Sequence, residues 1–182
     1  MTYKINVEVN DITEFGFNFA KFMKSDINEH IAVMNKYEDE CNHITEFGVR
    51  TGVSTWAWLA SKANVIRCFD IENISQNLKL HYESAKETKK DFTFNCVNTI
   101  ADKLEIEETD LLFIDTAHTY EQCSKELEMH SHKVRKYLIF HDTTLCPELN
   151  KAIEEFLKSN LNWKTKEIFT NNNGLTVLER TA

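Results

Sequence analysis

"HITEFGVRTGVSTWAWLA", residues 43–60, decides the fold. It holds two of the chain's four glycines, Gly48 and Gly52. Glycine loses more backbone entropy on folding than any other residue. It is therefore kept where φ must be positive or where a backbone or ligand comes close. Ile44 and Phe47, before the glycines, read as a short buried strand. Val53, Trp56, Ala57 and Ala60, after them, recur at helical spacing with Ser54 and Thr55 in the first turn. The reading is strand, tight turn, helix, an arrangement that aims free backbone N–H groups at a ligand.

Outward from this unit the pattern repeats. "NVIRCFD", "DFTFNC", "TDLLFID" and "KYLIFHD" are further short apolar runs. Helical stretches near 53–62, 74–86, 99–104, 119–131 and 147–159 follow the five runs in turn. Such alternation predicts a parallel sheet with helices on both faces. The tail breaks the rhythm, because "NWKTKEIFT" and "NNNGLTVLER" are strand-like runs joined by an Asn-rich, Gly-containing turn. The expected fold class is α/β: a Rossmann-like, doubly wound, mostly parallel sheet of about seven strands ending in an antiparallel hairpin. Residues 1–40 offer a polar start, an aromatic cluster (Phe15, Phe17, Phe19, Phe22) and an amphipathic helix around 28–40. One domain over 1–182 is expected. Its segment 1–40 would cover the site or form an interface, with the phenylalanines over the sheet edge or against a neighbouring subunit of a homo-oligomer.

Charge narrows the partners. A formal net charge of −8 over 182 residues disfavours nucleic acid and acidic membrane surfaces, which need clustered Lys and Arg. No apolar run approaches the roughly 18 residues of a spanning helix. No signal-peptide pattern opens the chain, so a cytoplasmic protein is expected. The five cysteines are odd in number and lack C-x-x-C spacing, which reads as reduced thiols.

The strand ends carry the chemistry, because ligands of a doubly wound sheet bind outside the carboxyl ends of its strands. The first strand ends in Glu46 and the glycine turn. The second ends in Asp70, 22 positions after Gly48, where a carboxylate can accept from ribose hydroxyls. A G-x-G-x-x-G dinucleotide fingerprint fails, since Arg50 and Val53 stand at its second and third glycines. A dehydrogenase is thereby disfavoured, and a zwitterionic adenosyl ligand fits the turn better. The fourth and fifth strands end in Asp115 and Asp142, with His118 and His141 beside them. Two carboxylates near two imidazoles suit a divalent ion with an adjacent general base. The alternative, that each aspartate only caps the following helix, stays open. His43, His81, His130 and His132 read as surface or packing residues.

The stretches "SDINEHIAVMNKYEDECNHITEFGVRTGVSTWAWLA", "FIDTAHTYEQCSKELEMHSHKVRKYLIFHDT" and "NNNGLTVLER" together resemble class I S-adenosylmethionine-dependent methyltransferases. The branch they resemble is that of cephalosporin-hydroxylase-like proteins and metal-dependent macrolide sugar O-methyltransferases. The resemblance implies that Glu46, Gly48 and Gly52 hold the methionine part, Asp70 the ribose and Asn98 the adenine edge. Arg50, Ser54, Thr55, Ile71, Thr99 and Asp115 complete the expected cofactor set. It also implies Asp115 and Asp142 as magnesium ligands, with His141 where relatives usually supply a third carboxylate. His118 is the implied general base and His141 the second choice. The expected reaction is O-methylation of a small hydroxylated acceptor such as a sugar. The alternative is a non-catalytic adenosyl- or nucleotide-binding interaction protein with the same fold.

Overall fold

The computed structural model describes residues 11–38 and 40–181. Its centre is a seven-stranded sheet of β1 (His43–Phe47), β2 (Val65–Asp70), β3 (Asp91–Cys96), β4 (Thr109–Ile114), β5 (Val134–His141), β6 (Trp163–Phe169) and β7 (Leu175–Arg180). The spatial order is β3-β2-β1-β4-β5-β7-β6. The first five strands pair in parallel, and β7 runs antiparallel to both β5 and β6. The expected fold class is therefore observed. The order reverses between β1 and β4, so their carboxyl ends open a crevice at the switch point.

Central strands are buried on both faces, and successive residues alternate between two cores. On β4, Leu111 and Phe113 join the core under helices α1 (Ile12–Phe22), α2 (Ile31–Glu38), α3 (Thr55–Ala60) and α4 (Lys79–Glu87). Leu112 and Ile114 join the opposite core, under α5 (Tyr120–His130) and α6 (Pro147–Ser159). Helix starts follow local chemistry. Asp11 accepts from the Glu14 N–H at 2.9 Å to cap α1, Thr119 caps α5 through the Gln122 N–H, and Pro147 opens α6.

One expectation is corrected. Residues 99–104 form no helix: Asn98 Oδ1 accepts from the Ile100 N–H, and two successive turns follow. Asn competes for its own backbone in this way and so favours turns. All four phenylalanines of the aromatic cluster lie on helix α1, Phe15, Phe19 and Phe22 on one face and Phe17 on the other. Helix α1 packs on α3 and α4. Gly16 makes that close approach possible, since a Cβ there would sit 2.2 Å from the Trp56 ring. Phe17 joins the core, whereas Phe15, Phe19 and Phe22 stay exposed.

Candidate active site

The glycine turn sits where the sequence put it, between β1 and α3, and both glycines need positive φ (Gly48 +82°, Gly52 +77°). Gly48 is wedged against the next strand over. A Cβ on it would lie 1.9 Å from the Asp115 carbonyl oxygen. The absent side chain thus makes room for the backbone of β4's end as well as for a ligand.

Asp70 organises the turn. Its Oδ2 accepts from the N–H groups of Val49 (2.8 Å) and Arg50 (2.9 Å), and its Oδ1 accepts from that of Glu72 (2.9 Å). A carboxylate has about four lone-pair sites. Three are taken by backbone, leaving one on Oδ1 for a ligand hydroxyl. Arg50 holds a left-handed backbone (φ 49°), and its guanidinium reaches Asp26 at 2.9 Å. That ion pair ties the turn to the segment 25–30 ahead of α2.

Glu46 does not line the crevice. It is fully buried behind the turn, where Ser54 Oγ (2.5 Å), Thr55 Oγ1 (2.7 Å) and Cys68 Sγ (3.1 Å) donate to it. Burial pushes its carboxyl pKa up, and the hydroxyl donors oppose that shift. Glu46 and Thr55 therefore brace the start of α3 from inside, while Ser54 also reaches the crevice wall. The charge that sequence reasoning put beside the ligand is one layer deeper.

The crevice has two lobes that share Gly48, Arg50, Asp115 and Thr116. One, of about 290 Å³, adds Asp70, Ile71, Glu72, Asn98, Thr99 and Gln122 to its wall. This lobe gathers the expected residues of β2 and β3. Glu72 and Gln122 were missed in the sequence because neither ends a strand. The other lobe, of about 370 Å³, holds His118 and Asp142 under a rim of Asp26, Leu145 and Asn173.

The four polar residues of β4 and β5 meet there. His118 Nε2 lies 2.8 Å from Asp142 Oδ2 and 3.4 Å from Asp115 Oδ1. His141 Nδ1 lies 3.4 Å from Asp142 Oδ2 and 3.5 Å from Asp115 Oδ1. Its other nitrogen, Nε2, faces the carbonyl oxygens of Asp26 (3.1 Å) and Asn172 (3.3 Å), so Nε2 carries a proton. Asp142 adopts a left-handed backbone (φ 60°), a conformation found more often at functional sites than elsewhere.

The electrostatics are reciprocal. Hydrogen bonding to Asp115 and Asp142 outweighs burial and pushes His118 up to about 10. Burial pulls His141 down, but the same two carboxylates win and raise it to about 10. Burial raises Asp115 and Asp142, yet the facing imidazoles hold both below the usual carboxylate range. The facing charges thus favour ionised carboxylates and pull both imidazoles towards their protonated form. Two atoms of the cluster are unsatisfied: Asp142 Oδ1 and His141 Nδ1 are buried and have no hydrogen-bond partner. A buried orphan carboxylate oxygen is costly unless something else binds it. Asp115, His118 and Asp142 each offer a ligand atom within 4.8 Å of the others, and His141 Nδ1 lies within 3.5 Å of both carboxylates, so the two carboxylates with either imidazole could hold a divalent cation.

His30, His43, His81 and His130 are buried, and His132 is exposed in the short turn ahead of β5. Cys41, Cys68 and Cys123 are buried, Cys146 is half-buried and Cys96 is exposed.

No family model matches the chain, and no curated protein is similar to it in sequence. Solved structures are similar in fold. A Corynebacterium glutamicum protein superposes with a TM-score of 0.70 at 13% identity, covering 97% of this chain and 92% of its own. A Staphylococcus aureus protein described as a putative caffeoyl-CoA O-methyltransferase gives 0.64 at 12% identity, over 92% of this chain and 98% of that one. A Podospora anserina methyltransferase solved with S-adenosylhomocysteine gives 0.57 at 14% identity, over 96% and 89%. An rRNA methylase of Streptococcus thermophilus is a further structural neighbour. The fold is therefore the Rossmann-like methyltransferase fold. No helix among the described residues is long and apolar enough to cross a membrane.

Proposed function

We propose that this protein is an S-adenosylmethionine-dependent methyltransferase acting on a hydroxyl oxygen of a small acceptor, for which a sugar is the first candidate. One observation carries the reading. Asp115 and Asp142 end adjacent strands in the crevice, flanked by two imidazoles, with Asp142 Oδ1 buried and unpartnered. Helix capping alone gives no reason for that convergence.

In this reading the Asp70–Gly48–Arg50 turn binds the adenosyl portion of the donor, and Asp115 sits at the junction of the two lobes. The bound donor supplies an electrophilic sulfonium methyl, and a bound divalent cation would acidify and orient the acceptor hydroxyl. Asp115, Asp142 and His141 Nδ1 would hold that cation. His141 has the form of a metal ligand, since its Nε2–H is anchored on backbone carbonyls. A mixed oxygen and nitrogen set suits Mn²⁺ at least as well as Mg²⁺, which prefers oxygen. His118, the more exposed imidazole, then takes the acceptor proton at Nε2. It can do so near neutral pH only when the two carboxylates have another positive partner, because their hold keeps it protonated. Asp26, Leu145 and Asn173 line the same lobe and would contact the acceptor there, helping to align its oxygen.

The same protonated state motivates a second reading, an adenosyl-binding protein without catalysis. Thermal shift and calorimetry with S-adenosylhomocysteine, Mg²⁺ and Mn²⁺ separate the two, followed by a labelled-donor screen of hydroxylated acceptors and of RNA. The methyltransferase reading expects ligand binding, cation binding lost in Asp142→Asn, and turnover lost in His118→Ala. Binding of S-adenosylhomocysteine with no cation effect and no acceptor methylated would leave the binding-protein reading. Methylation of RNA alone would replace the small acceptor.

A further inference from the structure

Beneath the adenosyl lobe lies a buried carboxylate that the reaction above does not use. Glu126, on α5, is 0% exposed. Its Oε1 accepts from Thr99 Oγ1 at 2.5 Å and from Gln122 Nε2 at 2.8 Å, and its Oε2 accepts from Thr116 Oγ1 at 2.9 Å. Each of these three partners comes from a different segment of the lobe's wall: the turn after β3, the turn after β4, and the first turn of α5.

The network fixes which way Gln122 faces. Its Nε2 donates both to Glu126 Oε1 and, at 3.0 Å, to Thr99 Oγ1, so both amide hydrogens are engaged inside. Turned over, the amide would press its carbonyl oxygen against the Glu126 carboxylate. The one polar atom that Gln122 has left for the lobe is therefore Oε1, an acceptor. Asn98 is arranged in the opposite sense. Its Oδ1 is engaged by the Ile100 N–H at 3.1 Å, which leaves Nδ2, a donor. Both residues line the lobe.

We infer that Gln122, held in one orientation by Glu126, is the residue that selects a 6-amino purine. Its Oε1 accepts from the exocyclic amine while Asn98 Nδ2 donates to a ring nitrogen. Adenine offers an amino donor beside an unprotonated N1 acceptor. A 6-oxo purine such as hypoxanthine offers the reverse, a carbonyl oxygen beside an N1–H, and would set acceptor against acceptor. This inference rests on the adenosyl assignment of the lobe and adds to it a specificity residue, Gln122, and a positioning residue, Glu126.

The experiment is calorimetry with S-adenosylhomocysteine and S-inosylhomocysteine on the wild type, Gln122→Met and Glu126→Gln. The wild type should prefer the adenosyl ligand by roughly tenfold or more, since an unpaired buried acceptor is what such sites reject. Gln122→Met should narrow the preference, leaving only the part set by Asn98 Nδ2 against the N1–H of the inosyl ligand. Glu126→Gln, which permits the Gln122 amide to turn over, should narrow the preference, whereas a merely structural Glu126 would weaken both ligands equally and leave the ratio intact. Should Glu126→Gln not fold, the partly exposed Gln122→Met decides alone. No binding of S-adenosylhomocysteine to the wild type would overturn the adenosyl assignment itself. Binding without preference, or a preference undiminished in Gln122→Met, would overturn the role of Gln122 and leave that assignment standing.

Discussion

Replacing Asp70 by Ala tests how the cofactor turn is built. In the wild type three backbone N–H groups donate to this one carboxylate, from Val49, Arg50 and Glu72. Arg50 and Glu72 are exposed, so water can take over their N–H groups, but Val49 is buried at 3% exposure. Stability should therefore fall by about 2 kcal/mol, one stranded donor rather than three, which lowers Tm by about 4–8 °C in a chain of this size. Ligand affinity is a separate quantity. With one lone pair left on Oδ1, Asp70 can receive a single ribose hydroxyl, a charge-assisted bond of about 1.5–3 kcal/mol. Calorimetry should then show S-adenosylhomocysteine weakened by about 10- to 150-fold. Scanning calorimetry of the free protein and titration of the ligand read the two effects independently. A Tm drop with an unchanged Kd would reduce Asp70 to turn support, and an unchanged Tm would refute the anchoring argument.

Gly48→Ala should cost both lobes at once. Its Cβ would lie 1.9 Å from the Asp115 carbonyl oxygen, so the end of β4 must shift. The expected loss is about 1–3 kcal/mol in denaturant unfolding, together with loss of cation-induced stabilisation. Gly16→Val should destabilise by a similar roughly 1–3 kcal/mol by pushing α1 off Trp56, while leaving Kd for S-adenosylhomocysteine unchanged in the folded fraction. The third concerns acid. Burial lowers His81 to about 4; its Nε2 bonds the Gly52 carbonyl at 2.8 Å and its buried Nδ1 has no partner. The folded pKa lies below the unfolded one, so this contribution is complete above about pH 6.5 and is lost as pH falls towards 4, by up to about 3 kcal/mol. Urea midpoints of wild type and His81→Gln across that window should converge as pH falls; parallel curves would refute it.

Much of this architecture is local and therefore legible in one dimension. Periodicity named the five parallel strands and most of their helices, because a strand buried on both faces must be a short apolar run. Gly48 and Gly52 marked the turn because only residues tolerant of positive φ sit comfortably there. Asp70, Asp115 and Asp142 stood out because a polar residue directly after such a run is the strand's carboxyl end. The failure was local too. The side chain of Asn98 captured the backbone of the turn that followed it, where a helix near 99–104 was expected.

What the sequence could not determine is which atom faces which. Glu46, Ser54 and Thr55 are adjacent to the turn in sequence, yet the fold turns Glu46 and Thr55 inward, since β1 is buried on both faces. Gln122 and Glu126 are ordinary polar positions on a helix until α5 docks and brings Thr99, 23 residues from Gln122, against both. The convergence of Asp115, Asp142, His118 and His141 depends on the register of β4 against β5, and the protonation of the histidines depends on distances of 2.8–3.5 Å that no spacing encodes. Residue types and periods fix the elements through short-range sterics and hydrophobic burial. Lone-pair satisfaction and pKa are set by through-space neighbours, which exist only once the sheet has assembled.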